Sequence, residues 1–198
     1  MEFAQSYECM IEKISIKKQK GELNDIAILF LNPKTDANLA KELFPNLPTL
    51  NSRSKKKADI YFPGYSDRSS EISTLIADGE LINGKQWYFN QKQYLEFAER
   101  FSEIVGKEVY DPLIVLLIGE ETAYLIKAIS LEEIIDERYT LSNFLKEYIE
   151  ATKLENSIDR AIDNILRKRK IIRFGKKLNS IVMNYGSIAF NVGGLILK

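Results

Sequence analysis

The side chains that carry most enzymatic chemistry near neutral pH are almost missing from this chain: none of its 198 residues is histidine, and Cys9 is its only cysteine. Without imidazole there is no Ser-His or Cys-His nucleophile and no His-ligated zinc, and no side chain titrates near neutrality in its ordinary state. One thiol excludes an internal disulfide, which fits a reducing, cytoplasmic setting. Any reaction must use carboxylates, lysine, tyrosine or groups of the substrate. For a histidine-free enzyme acting on a nucleotide or sugar, Asp59, Tyr65, Asp67 or Asp111 would have to converge in a concavity. The residue pattern calls for no cofactor and offers no metal-ligand set.

Binding chemistry is better represented. Asn32, Lys34, Thr35 and Asp36 follow an apolar run, where the carboxyl end of a strand in an open α/β sheet often holds a ligand. Thr35 and Asp36 are also ordinary N-cap residues, and capping of the following helix is the reading their types favour. Asp111-Pro112 opens another apolar run, a position at which strands tolerate proline. Glu120 and Glu121 are neighbours in a turn, point apart, and read as a solvated hairpin tip.

Basic side chains cluster twice, first as Arg53, Lys55, Lys56 and Lys57. The second cluster is Arg167, Lys168, Arg169, Lys170, Arg173, Lys176 and Lys177, seven cations within eleven residues. Nucleic acid is a poor match for them. The whole chain balances 28 basic against 28 acidic residues, and Glu147, Glu150, Glu155, Asp159 and Asp163 precede the second cluster. Internal pairing or the acidic face of a protein partner fits better.

The elements that must position these residues follow from periodicity. Phe3, Tyr7, Met10, Ile11 and Ile14 recur at helical spacing, which predicts an N-terminal helix over 1–21, interrupted by too many charges to be a secretory signal. The apolar run 25–31 predicts a strand covered on both faces. A helix through Leu39, Ala40, Leu43 and Phe44 follows, and Pro45 and Pro48 should end it. Residues 51–57 suit a polar loop, 58–62 a second strand stopped by Pro63-Gly64, and 86–89 a short edge strand. Asn90 and Gly106 bracket the clearest helix. Leu113–Ile118 and 122–129 suit a central hairpin, followed by helical segments from Ser130, over 141–151, and from Asn156 through Ile158, Ala161, Ile162, Ile165 and Leu166.

The tail changes character. Leu178 to Leu197 carries no charged residue. Its length would cross a bilayer and its basic flank suits a cytoplasmic side, but its asparagines, serines and glycines make it wetter than a usual span. Packing as strands or a helix on its own domain, or on an identical subunit, would cover Leu195, Ile196 and Leu197.

The order strand, helix, strand, helix, antiparallel strand pair opened by proline, then helix resembles the thioredoxin fold. The closest local likeness runs from Asp111-Pro112-Leu113 through Glu133. The resemblance spans roughly residues 22–150 and implies an α/β core of mixed sheet flanked by helices; the helical segment, basic run and uncharged tail after it are read as a C-terminal helical extension over 153–198. It also implies a cis proline facing the turn after the first apolar strand, with neighbouring backbone groups open to an extended peptide. That turn reads Asn32-Pro33-Lys34-Thr35-Asp36-Ala37, without the Cys-x-x-Cys of redox-active members, so dithiol exchange within one chain is impossible. A glutathione-transferase-like reading fits less well, because no acidic residue and serine follow the proline strand at its start. The expectation is a redox-inactive, non-catalytic interaction or assembly module that associates through its extension with a protein partner or a second copy. The alternatives are a membrane-active effector and the histidine-free enzyme.

Overall fold

A computed structural model describes residues 1–22, 25–54, 57–76, 84–106, 108–109, 112–119, 124–131, 135–136, 138–152, 160, 162–167 and 182–188. Along the chain the elements are β1 (Glu2–Ala4), α1 (Tyr7–Gln19), β2 (Asp25–Phe30), α2 (Ala37–Leu43), a 3-10 turn (Phe44–Asn46) and α3 (Leu47–Ser54). There follow β3 (Ala58–Pro63), β4 (Tyr65–Ser66), β5 (Thr74–Leu75), β6 (Tyr88–Phe89), α4 (Gln91–Val105), β7 (Leu113–Gly119), β8 (Tyr124–Ser130), α5 (Leu141–Ala151) and β9 (Val182–Ile188).

The chain is an α/β protein with a mixed central sheet flanked by helices. Its six strands lie in the order β1-β3-β2-β7-β8-β9. β1, β3 and β2 are parallel, and β7, β8 and β9 continue antiparallel. Because β3 is buried throughout and β2 from Ile26 onward, both faces are covered, as near-continuous apolar runs demand. One helical layer packs α1 on α4, and the other packs α5 on α2 and α3. The α1–α4 layer is aromatic: Phe30 meets Tyr94, Phe97 and Phe101 at ring-centroid distances of 6.4, 5.8 and 5.5 Å.

Several sequence expectations need correction. Phe3 is not on the first helix. Glu2–Ala4 pairs with Tyr61–Pro63 as a parallel strand, and Ser6 starts the helix with its hydroxyl accepting the Cys9 N–H at 3.1 Å. Pro45 and Pro48 do not end the helical path. They fall in the 3-10 turn and in the first turn of α3, where a missing N–H is harmless. Residues 51–54 are therefore helix rather than loop, with Asn51 and Ser54 buried. The 86–89 segment supplies β6, the middle strand of a small sheet β4-β6-β5 rather than an edge.

The helical C-terminal extension is corrected in part. Residues 162–167 are helical and bury Ile162, Ile165 and Leu166, and Asp163 accepts from the buried Lys127 of β8 at 3.1 Å. Residues 182–188, however, form a strand on β8. Strand formation suits that stretch because Gly186 and the β-branched Val182 and Ile188 disfavour a helix. The helical start from Ser130 is described at Leu131 and Ile135, whose N–H donates to the Leu131 carbonyl at 3.0 Å. Asn156, Ile158 and Ala161 lie outside the described residues.

One glycine is indispensable to this path. Gly64 has φ +76°, donates its N–H to the Ala4 carbonyl and accepts from Asn90 N–H, both at 2.9 Å. A Cβ there would stand 2.6 Å from the Tyr94 Cβ. β1, the end of β3 and the start of α4 thus meet at a point where only glycine fits.

Candidate functional site

Beyond Phe30 the chain leaves the sheet buried, through Leu31 and Asn32, and must satisfy its own polar groups. The Asn32 carbonyl accepts from Thr35 N–H at 3.2 Å and Asp36 N–H at 2.7 Å. Asn32 Oδ1 accepts from Lys34 N–H at 3.0 Å. Asp36 stands at the N-cap position of α2 but makes no forward cap bond. Its Oδ2 turns back to accept from Asn32 N–H and from the Thr35 hydroxyl, each at 3.2 Å. Lys34 Nζ reaches across to Gln91 Oε1 at 3.0 Å, tying the turn to the first residue of α4.

Across from this turn lies Pro112, buried at the entry to β7. Its carbonyl accepts from Leu131 N–H at 3.0 Å, which brings the residue after β8 alongside it. Between the two lies an open cleft of about 420 Å³, with Thr35, Asp36, Asn38 and Leu39 on one wall and Pro112, Leu131 and Ile135 on the other. Thr35, Asp36 and Pro112, three residues singled out from sequence, thus share one concavity. Asn32 and Lys34 shape the turn without lining the cleft. Leu39, Leu131 and Ile135 were not identified beforehand as site residues. The hairpin register that sets Ser130 opposite Leu113 is the signal that would have found Leu131.

Other candidates do not come together. Asp59, at the start of β3, is opposite Ile26, whereas the Tyr65 hydroxyl donates to the Leu31 carbonyl at 2.9 Å. The length of β2 therefore separates the two, and Asp67 pairs with Lys85 in a different cleft. Arg167 is exposed within the described helical stretch 162–167. Asp111, Glu120, Glu121, Lys55, Lys56, Lys168, Arg169, Lys170, Arg173, Lys176, Lys177, Leu195, Ile196 and Leu197 lie outside the described residues. Among the described residues, no group of three or more carboxylate or cysteine side chains could hold a metal ion, and no helix is long and apolar enough to cross a membrane.

The amino end of the sheet holds a second polar group. Lys17 Nζ donates to Asp59 Oδ1 at 2.6 Å and to Glu2 Oε1 at 2.9 Å. Burial alone would lower the Lys17 ammonium, but the bonds it donates to Asp59 and Glu2 outweigh this and hold it above its ordinary range. Burial pushes Asp25 up to about 6. Burial, with Asp25 and Asp59 nearby, raises the Tyr148 phenol well above its usual value. Among the described residues that line the Pro112 cleft, Asp36 is the one titratable side chain. Comparison of the chain with protein-family models, with curated proteins and with solved structures yields no match in any of the three.

Proposed function

We propose that the chain is a non-catalytic protein-interaction module on a redox-inactive thioredoxin-like core, and that the Pro112 cleft takes an extended segment of a protein partner. The observation that carries this reading is Pro112 standing across the cleft from the Thr35–Asp36 turn, the juxtaposition that the resemblance implies. The antiparallel pair β7-β8 opened by that proline supports it. The turn holds no sulfur, and Cys9 lies on α1, so dithiol exchange has no place in it. Leu39, Pro112, Leu131 and Ile135 offer an apolar lining, while Thr35 and Asn38 offer polar groups to a peptide backbone.

The extension contributes a second surface in this reading. β9 is the last strand of the sheet, and among the described residues it pairs only with β8. An uncharged edge strand is a template for another copy. Sedimentation of the full chain against one ending at Leu166 separates the two surfaces: identical monomers defeat assembly through the extension and leave the cleft untouched.

The cleft is tested by selecting random dodecapeptides on the full chain and counter-selecting on Ala37→Trp, which fills the cleft. Expected are peptides with an apolar residue in an extended stretch, whose binding Ile135→Arg abolishes. Peptides that bind wild type and both variants alike overturn the assignment.

A further inference from the structure

The insertion between β3 and α4 holds a second cleft, which the reading above does not use. It lies beyond the carboxyl end of β3, on the β4-β6-β5 sheet, and has a volume of about 580 Å³. Strand alternation forms its floor: Trp87 and Phe89 enter the core, so Gln86 and Tyr88 take the opposite face.

The polar side chains are already paired with one another. The Tyr88 hydroxyl donates to Gln86 Oε1 at 2.7 Å, and Lys85 Nζ donates to Asp67 Oδ2. These bonds hold a ring, an amide, a carboxylate and an ammonium around one opening, and the amide keeps both of its N–H donors. Arg68 adds a guanidinium on the same wall. Behind it Ser73 pins the loop, its hydroxyl accepting from Ser70 N–H at 2.7 Å and donating to the Ser70 carbonyl at 2.9 Å.

Charge decides between ligand classes. Among the described lining residues, Arg68 and Lys85 against Asp67 leave a single positive charge, and the carboxylate sits directly on the ammonium, so a phosphate would meet a like charge where it most needs a cation. A neutral polyhydroxyl ligand meets donors and acceptors together, and its C–H face suits an amphipathic ring such as Tyr88. We propose that this cleft binds a carbohydrate, with one sugar ring against Tyr88 and its hydroxyls on Gln86, Arg68 and the Asp67–Lys85 pair. The volume is within the range of small-molecule sites.

Saturation-transfer NMR on the full chain tests this, with maltose, lactose and N,N′-diacetylchitobiose as probes and inorganic phosphate as competitor. The expected result is transfer to at least one disaccharide, unaffected by phosphate, with affinity falling at least about tenfold in Tyr88→Ala and unchanged in Leu39→Ala of the other cleft. If Tyr88→Ala fails to fold, the exposed pair Arg68→Ala and Gln86→Ala carries the same expectation. Three results overturn the proposal: no transfer to any of the three sugars, transfer that survives the variants, or displacement by phosphate. None of them bears on the peptide cleft, whose test uses different residues.

Discussion

At the carboxyl end of β2, Asn32, Thr35 and Asp36 bond to one another and to their own backbone beside an open cleft. At the amino end of the same strand Asp25, Asp59, Lys17 and Tyr148 are drawn into or against the core. The first arrangement is closed within a few residues of chain, so it shapes a surface without needing distant partners. The second joins α1, β1, β3 and α5 across the fold, and its charges are only partly open to water. Stability and pH dependence should therefore be governed from the amino end, and ligand binding from the carboxyl end.

The largest effect expected is the one exception at the carboxyl end, where backbone rather than polar chemistry is at stake. Gly64→Ala would place a Cβ 2.6 Å from the Tyr94 Cβ and 3.0 Å from the Asn90 carbonyl at φ +76°. Clash and left-handed strain together should cost about 4 kcal/mol, measured by urea unfolding. A loss under about 1 kcal/mol would show that the β3–α4 junction yields easily.

Next in size is Lys17→Met, which keeps the apolar stem but leaves the carboxylate of Asp59, whose side chain is 6% exposed, without its cation. The expected loss is about 3 kcal/mol, at the low end for breaking a buried pair because the Lys17 side chain remains 24% exposed. Adding Asp59→Leu should restore most of it, since removing both charges removes the desolvation penalty as well. If the single and double variants are equally destabilised, packing of the lysine stem rather than charge explains the loss.

A smaller, signed effect belongs to Asp25. Its carboxyl is raised from 3.8 to about 6 by burial, so the folded chain holds a proton that the unfolded chain has released. Its contribution is full below pH 4 and is lost as pH rises through 6. The shift alone would correspond to about 3 kcal/mol at 1.36 kcal/mol per unit, and solvent access reduces this to about 1 kcal/mol. Asp25→Asn should thus stabilise the protein by about 1 kcal/mol at pH 7.5 and by nothing at pH 4. A gain independent of pH would rule out the carboxylate as its source.

Local patterns carried the sequence reading far. The buried strand 25–30, the Asn90-to-Gly106 helix and the 113–130 hairpin each advertise themselves by apolar run, cap or turn. What escaped depends on distant partners. Glu2–Ala4 is a strand only because β3 offers an edge for it, and three residues are too few to show alternation. For Val182–Ile188 the sequence left strand and helix open, and the edge of β8 decides for strand. Pro45 and Pro48 misled because proline ends a helix from its interior but is welcome in a first turn. At the cleft, Thr35, Asp36 and Pro112 could be named from residue type, whereas Leu131 and Ile135 acquire a role only once the hairpin register returns the chain to Pro112.

The smallest effect tests whether the amino end is fully satisfied. Among the described residues the buried Tyr148 hydroxyl has no hydrogen-bond partner, and Asp59 Oδ2 has none either. A desolvated hydroxyl that bonds nothing is a liability, so Tyr148→Phe should be neutral or stabilise by about 0.5 kcal/mol. The competing possibility is a bond to the Asp25 carboxylate, which contributes to raising the phenol. In that case Tyr148→Phe would cost about 1 kcal/mol in the wild-type background and nothing beside Asp25→Ala, which removes the acceptor, a coupling that a double-mutant cycle reads directly. Additivity of the two variants at pH 7.5 would mean that the amino end tolerates an unbonded oxygen, and that its rigidity comes from Lys17 and the packing around it.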